Sequence, residues 1–193
     1  MIELVLLCSA LLLVLSAEFI NGWTDAPNAI ATVVSTGTLP LHYAVPMAVL
    51  MNIAGALSGT AVAATIGKAI VTTDSVTIPA IAAAMVSIII WGGFAAYRGL
   101  PISKSHALIA GLAGAAVAGG GFDSLLLAGW IKITIGMALS VVAGFSISFI
   151  VGRLIILFAG NLSPSRAAIG FDVAHMCTSC TMAFAHGMND GQK

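Results

Sequence analysis

Long apolar stretches, separated by short polar interruptions, make up most of this 193-residue chain. The apolar runs lie at residues 2–20, 44–66, 76–97, 105–121, 125–151 and 167–186. Most of them reach the roughly 20 apolar residues that an α-helix needs to cross the hydrocarbon core of a bilayer. The pattern predicts an all-α polytopic membrane protein, one unit of roughly five or six helical segments.

Two stretches differ from simple membrane crossings. The run at 105–121 is short and contains five glycines, which is typical of a re-entrant segment or of half a broken helix. Residues 21–40 follow the first run and combine Asp25 and Pro27 with several hydroxyl side chains. Irregular backbone at membrane depth must be buried in protein or line a wet cavity. We therefore expect broken or re-entrant helices around an internal cavity.

Composition narrows the class of protein further. Hydrophobic residues make up 60% of the chain, charged residues only 7%, and the mean hydropathy is +1.10. A soluble domain usually has about 25% charged residues, so a soluble enzyme is excluded. Seven basic and seven acidic residues cancel, which leaves no basic field for a nucleic acid. The expected surroundings are a lipid bilayer, and the first run, which lacks a basic leader, is expected to be a retained span.

A weak internal repeat connects the two ends of the chain. Residues 17–28 align with residues 182–193 at an offset of 165, which superposes Phe19, Gly22 and Asp25 on Phe184, Gly187 and Asp190. Internal repeats with paired helix breaks are typical of secondary transporters. We therefore predict that residues 1–166 are a first transmembrane repeat, that residues 167–193 begin a truncated second repeat, and that the two repeats are inverted.

Two carboxylates at the ends of apolar runs are the strongest candidates for binding. An ionised carboxylate near the bilayer centre costs at least about 2.5 kcal/mol, so Asp25 and Asp190 should be paired, hydrated or bound to a cation. Asn28 and Asn189 lie within one turn of them and offer neutral oxygens. This set suits Na⁺, or a proton held on a carboxylate. The alternative for Asp25 is an interfacial helix cap beside Pro27.

A polar cluster opens the short glycine-rich segment. Ser103 or Ser105 is a natural N-cap, and the helix N-terminus behind it presents free N–H groups and a positive dipole. Lys104 adds a full positive charge, so a tetrahedral oxyanion would fit here. The alternative is an ordinary capped helix with a snorkelling lysine.

Four residues of the types that bind soft metals lie close together near the end of the chain: His175, Cys177, Cys180 and His186. A structural zinc site normally gathers its ligands from two elements, whereas this run is one continuous apolar helix, so we expect no metal. A non-transporting membrane subunit that binds metal or a partner stays as an alternative. Without a nucleophile elbow, a Walker A loop or a His-Glu-x-x-His motif, transport is favoured over an intramembrane enzyme, and a gradient or a partner chain would drive it.

Three stretches, at residues 21–38, 100–107 and 185–193, resemble known signatures. They are similar to the two Gly-Ala-Asn-Asp-type signatures and the Pro-[Val/Ile]-Ser-x-[Ser/Thr]-His element of the inorganic phosphate transporter (PiT) family. The resemblance implies symport of inorganic phosphate with Na⁺ or H⁺ across the cell membrane. It also implies that the chain is the N-terminal half of a member. Sulfate or another oxyanion is the alternative substrate on this scaffold.

The resemblance also implies a role for each matching residue. The cation would be held by Asp25, Asn28, Asn189 and Asp190. Phosphate would be bound by Ser103 and Ser105, with Asp25 and Asn189 framing it, and the charge of Lys104 between the two serines makes it a further candidate for phosphate binding. Thr24 stands where the family usually has Asn, and Lys104 where a Thr is common; the first bears on the coupling cation and the second on the charge of the anion. No cofactor beyond the coupling ion is implied, and a half with an exposed repeat interface is expected to form a homo-oligomer.

Overall fold

The computed structural model describes residues 1–60, 69–160 and 162–191, including all their side chains except those of Ile2, Pro164 and Arg166. These residues form helices joined by short turns, with one isolated antiparallel bridge between Val71 and Leu125. The α-helices are α1 (Ile2–Asp25), α2 (Ala31–Ser35), α3 (Leu41–Leu57), α4 (Ile78–Tyr97), α5 (Lys104–Gly120), α6 (Leu127–Ala159) and α7 (Pro164–Asp190). The predicted all-α fold is confirmed.

Each predicted run contains a helix, although the ends differ. α1 and α7 extend beyond the apolar runs that predicted them, because polar residues at an internal site continue the helix, whereas α6 extends through residues 152–159, which are apolar apart from Arg153. α3 ends at Leu57, and residues 61–66 of the run predicted at 44–66 lie outside the described residues. The last two residues of the second signature, Gln192 and Lys193, also lie outside them.

The first membrane helix is broken directly after Asp25. A short 3₁₀ helix (Ala26–Ala29) follows α1, and α2 continues from Ala31. Pro27 has no N–H to donate to the carbonyl four residues earlier, and it therefore interrupts the α-helical ladder. Thr24 Oγ1 donates to the Ile20 carbonyl at 2.8 Å, a contact that often bends helices. The predicted broken helix is therefore present at this position.

α1 and α4 lie side by side and run parallel. Leu7 near the start of α1 shares a surface hollow with Ile78, and Ile20 near its end packs against Gly92. Between these points Ala17 is buried with Met85 and Ile88. Small residues let the two helices approach closely, as membrane helices commonly do.

α5 returns antiparallel along α4. Gly111 packs against Ala84, and the stem of Lys104 lies beside Gly92. A 17-residue helix is about 26 Å long, shorter than the roughly 30 Å hydrocarbon core. The short segment predicted here is therefore a short helix, and it begins next to the end of α1.

α3 and α7 pack along their lengths and run parallel. Met47 lies beside Cys180, and Asn52 lies beside Gly187. The segment after Asp25 runs the other way along α7: Ile30 is buried with Ala183, and Thr38 Oγ1 donates to Asp172 Oδ1 at 2.9 Å. The broken helix and α7 therefore approach the centre from opposite directions, as inverted repeats do.

Three described helical stretches are long and apolar enough to cross a membrane: Glu3–Ala29, Ile78–Tyr97 and Leu127–Ala159. The last of these has a mean hydropathy of 2.3 in its most apolar window and buries none of that window within the chain. Such a surface requires an apolar environment. The fold is that of a multi-pass membrane protein.

Candidate functional site

A cavity of about 570 Å³ lies at the break in the first helix. The last turns of α1, the 3₁₀ segment, the middle of α3 and the end of α7 enclose it. Its walls are largely apolar, and a few polar side chains converge on it: Glu18, Asn21, Asn52, His186 and Asp190. An apolar cavity with a small number of placed polar groups is typical of a ligand site.

Asn21 is the most deeply buried polar residue of this cavity. It is 6% exposed, and its Nδ2 donates to Glu18 Oε1 at 3.4 Å. Its Oδ1 has no hydrogen-bond partner among the described residues. Leaving a buried acceptor unsatisfied costs about 1–3 kcal/mol, so this oxygen is available to a bound cation or to a donor on a ligand.

An ion pair joins the end of α1 to the start of α5. Lys104 Nζ lies 2.9 Å from Asp25 Oδ1, and the two side chains are only 10% and 24% exposed, respectively. Lys104 also lines a narrow crevice of about 30 Å³ together with Glu18 and Asn21. Because Glu18 and Asn21 line the cavity as well, they connect the ion pair with it. Lys104 is thus turned inward rather than snorkelling.

The second signature places its carboxylate directly in the cavity. His186 Nδ1 lies 3.0 Å from Asp190 Oδ2, one helical turn apart on α7, and both residues line the cavity wall. At the offset of 165, His186 corresponds to Asn21 and Asp190 to Asp25. Each signature therefore presents a polar residue and, four positions later, a carboxylate. Asp25, however, faces α5, whereas Asp190 faces the cavity.

The start of α5 has the predicted capped geometry. Ser103 Oγ accepts from the His106 N–H at 3.3 Å, which makes Ser103 the N-cap. Ser103 lies on the exposed side of the helix, along a surface groove that it shares with His106 and Trp91. Ser105 is half-buried. The structure therefore brings Lys104 to Asp25, while Ser103 faces a different side.

Two further residues of the predicted cation set lie outside the cavity wall. Asn28 is exposed on the 3₁₀ segment. Asn189 is also exposed, and its Nδ2 donates to the Ala185 carbonyl of its own helix at 2.7 Å. Their roles in binding stay predictions.

Glu18 and Asn21 were not among the predicted binding residues, although the sequence contains a signal for them. Positions 18, 21 and 25 are spaced i, i+3 and i+7, which places them on one face of α1. Asn52 had no comparable signal, because only tertiary packing brings α3 against the cavity.

The cysteines and histidines of α7 lie apart from one another on the helix and contact different neighbours. Among the described residues, no group of three or more His, Cys, Asp or Glu side chains is arranged to hold a metal ion. Cys180 Sγ lies 3.2 Å from Met47 Sδ, Cys177 is exposed, and His175 Nδ1 lies 3.5 Å from Thr36 Oγ1. The geometry gives the metal-binding alternative no support.

An all-α, multi-pass membrane protein whose first helix breaks at a largely apolar cavity, on which a few polar side chains converge, has the architecture of a secondary transporter. The pattern of the phosphate transporter family matches residues 21–171. The chain belongs to this family. Because this is a family of transporters rather than enzymes, the prediction that the chain is not an enzyme is confirmed, and so is the prediction of an integral multi-pass membrane protein.

Individual relatives agree with this assignment. A probable low-affinity inorganic phosphate transporter of Bacillus subtilis (strain 168) is 38% identical over 196 residues, covering 98% of this chain and 58% of the relative. One from Streptomyces halstedii is 34% identical over 189 residues, covering 96% of this chain and 88% of the relative. One from Mycobacterium tuberculosis (strain H37Rv) is 31% identical over 193 residues, covering 100% of this chain and 46% of the relative. The chain thus spans about half the length of the first and third of these relatives.

A solved structure shares the fold. "The sodium-dependent phosphate transporter" superposes with a TM-score of 0.77 at 20% identity, covering 97% of this chain and 56% of that one. At this identity the likeness establishes the fold alone.

Proposed function

We propose that the protein is a secondary active symporter that moves inorganic phosphate across the cell membrane together with Na⁺ or H⁺. The observation that carries this proposal is the cavity at the helix break, where buried Asn21 connects the carboxylate of Asp190 with the Asp25–Lys104 pair. The names of the relatives, which are phosphate transporters, support the choice of substrate.

The charged side chains around the site favour transport of an anion together with a cation. Lys104 offsets Asp25, while Glu18 and Asp190, which lies 3.0 Å from His186 Nδ1, bring two further carboxyl groups to the cavity. Unlike charges attract by about 4 kcal/mol at 4 Å when the effective dielectric constant is near 20, and like charges repel equally. Phosphate therefore enters this region more readily after a cation has bound. This dependence of anion binding on a bound cation supports symport.

The start of α5 supplies the groups that suit the anion. Its N-terminus presents the positive end of the helix dipole, and Lys104, its first residue, adds an ammonium group. Phosphate at neutral pH still carries a proton that a carboxylate such as Asp25 can accept in a hydrogen bond, whereas sulfate carries none. This difference favours phosphate over sulfate.

Uptake of radiolabelled phosphate into proteoliposomes containing the full-length protein tests the proposal. We expect saturable uptake that depends on an inward gradient of Na⁺ or H⁺ and that excess unlabelled sulfate leaves largely intact. Uptake that sulfate blocks as effectively as phosphate would point to a general oxyanion permease. Absence of uptake under both gradients would contradict the proposal.

A further inference from the structure

Lys104 occupies the position at Asp25 where a coupling cation would bind. Its ammonium nitrogen lies 2.9 Å from Asp25 Oδ1, within hydrogen-bonding distance, and carries the same single positive charge as Na⁺. The pair is largely removed from water, since the two side chains are 10% and 24% exposed. It is therefore better defined than an exposed surface pair, which contributes little and is easily exchanged for solvent.

The surroundings give this ammonium group more than one place to bind. Lys104 is the first residue of α5, between Ser103 and Ser105, where the helix N-terminus favours an anion. It also lines the crevice that contains buried Asn21, whose Oδ1 has no partner among the described residues. A lysine side chain is a compact charge on a flexible four-carbon stem. Such a stem lets the ammonium group exchange its carboxylate partner for an anion at the helix start.

We propose that Lys104 is a tethered counter-ion that competes with the coupling cation for Asp25. In the absence of ions its ammonium neutralises the carboxylate. When Na⁺ binds at Asp25 and the Asn21 oxygen, it displaces the ammonium, which then contacts phosphate at the start of α5. Lys104 thereby links cation binding to anion binding and lowers the affinity for Na⁺. This inference rests on the proposed symport and names the residue that determines its cation affinity.

A lysine with a purely structural role leads to a different expectation. If the pair only fastened α1 to α5, removing the charge of Lys104 would loosen the packing and weaken the binding of every ion. A tethered counter-ion predicts effects of opposite sign on the cation and on the anion. Unfolding cannot produce tighter binding of Na⁺, so the two explanations are separable.

The test measures ²²Na⁺ and ³²P-phosphate binding to the purified full-length protein by scintillation proximity. Lys104→Met keeps the length of the side chain and removes its charge, Lys104→Arg keeps the charge, and Lys132→Met alters an exposed lysine on α6 away from the site. We expect Lys104→Met to bind Na⁺ roughly tenfold more tightly and phosphate roughly tenfold more weakly, as removal of a partly buried charge partner implies. Lys104→Arg keeps the charge and should therefore not tighten Na⁺ binding as Lys104→Met does, and Lys132→Met, away from the site, should stay within about threefold of the wild type.

Equal Na⁺ affinity in the wild type and Lys104→Met, or no Na⁺ binding by either, would overturn the inference. Size-exclusion profiles check that each variant is folded, and Lys104→Gln provides a second uncharged variant if Lys104→Met aggregates. Failure of the proposed function is distinguishable, because the wild type would then take up no phosphate under either gradient. Wild-type uptake together with unchanged Na⁺ affinity in the variant would leave symport standing and remove the role of Lys104.

Discussion

Asn21 combines deep burial with an unsatisfied acceptor, a combination that packing alone does not explain. It is 6% exposed, its Oδ1 has no partner among the described residues, and it borders both the cavity and the crevice of Lys104. Buried polar atoms that lack a partner reduce stability, and functional sites often retain them. We infer that the side chain is kept for binding.

Replacing Asn21 with leucine of similar volume tests this inference. Asn21→Leu removes the unsatisfied oxygen, so we expect a melting temperature in detergent equal to that of the wild type or higher. Phosphate uptake should fall at least roughly tenfold, because one polar ligand of the site is lost. Thr134→Val, on the exposed surface of α6, is the matched control and should leave uptake unchanged. A folded Asn21→Leu protein with normal uptake would show that Asn21 is dispensable for binding.

The sequence identifies individual site residues where their immediate neighbours in the chain make them unusual. Asp25 and Asp190 were identified because a carboxylate in an apolar run is unusual, and Ser103 because it precedes a helix. The partnership of Asp25 with Lys104 could not be predicted, since it joins residues 79 positions apart and depends on how α5 returns to α1. The exposed positions of Asn28 and Asn189 depend in the same way on which face of each segment is packed.

α3 and α7 fix the position of the second carboxylate through glycine contacts. A methyl group at Gly187 would collide with the Asn52 carbonyl, and one at Gly55 would collide with the Phe184 carbonyl. The backbones are therefore in direct contact, as in many close-packed membrane helices. Because Gly187 lies between His186 and Asp190, this contact also sets the cavity wall.

Gly187→Ala should separate α3 from α7. Overpacking of a tight interface costs about 1–3 kcal/mol, so we expect a lower melting temperature and impaired phosphate uptake. Gly93→Ala on α4 is the control, since a methyl group there meets no atom within 4 Å and favours the helix. Equal melting temperatures for the two variants would contradict the close packing of α3 and α7.

The helices themselves were largely predictable from apolar runs and helix breakers. The break after Asp25 follows from Pro27, and the short α5 follows from the short run at 105–121. The ends of α1 and α7 were not predictable in this way, because their last turns contain polar residues that continue the helical hydrogen bonding. The parallel packing of α3 on α7 arises from tertiary contact between residues far apart in the chain.

The whole molecule presents a broad apolar exterior. α6 spans 33 residues, and large side chains along it, including Val142 at 64% exposure, have little contact with the rest of the described chain. In water such a surface would drive aggregation, whereas lipid accommodates it. Formation of a homo-oligomer through exposed surface of this kind stays a prediction.

A charge in the middle of α6 should impair membrane integration. Val142→Arg places an arginine near the helix centre, where insertion costs about 2.5–3.5 kcal/mol. We expect less protein in the alkaline-washed membrane fraction than for Val142→Leu, the size-matched apolar control. Equal membrane yields would indicate that this part of α6 does not face an apolar environment.

We propose that Asp25 belongs to the ion-coupling site of a phosphate symporter, and phosphate uptake by Asp25→Asn is the decisive test of that role. The measurement is gradient-driven phosphate uptake into proteoliposomes containing the full-length protein, with Asp123→Asn as a control at an exposed carboxylate. Asp25→Asn leaves the partly buried charge of Lys104 without its partner, which destabilises the fold. The double variant Asp25→Asn/Lys104→Met removes both charges and therefore distinguishes a loss of coupling from a loss of folding. We expect no gradient-driven phosphate uptake by either Asp25 variant and normal uptake by Asp123→Asn. Near-normal uptake by a folded Asp25 variant would contradict it.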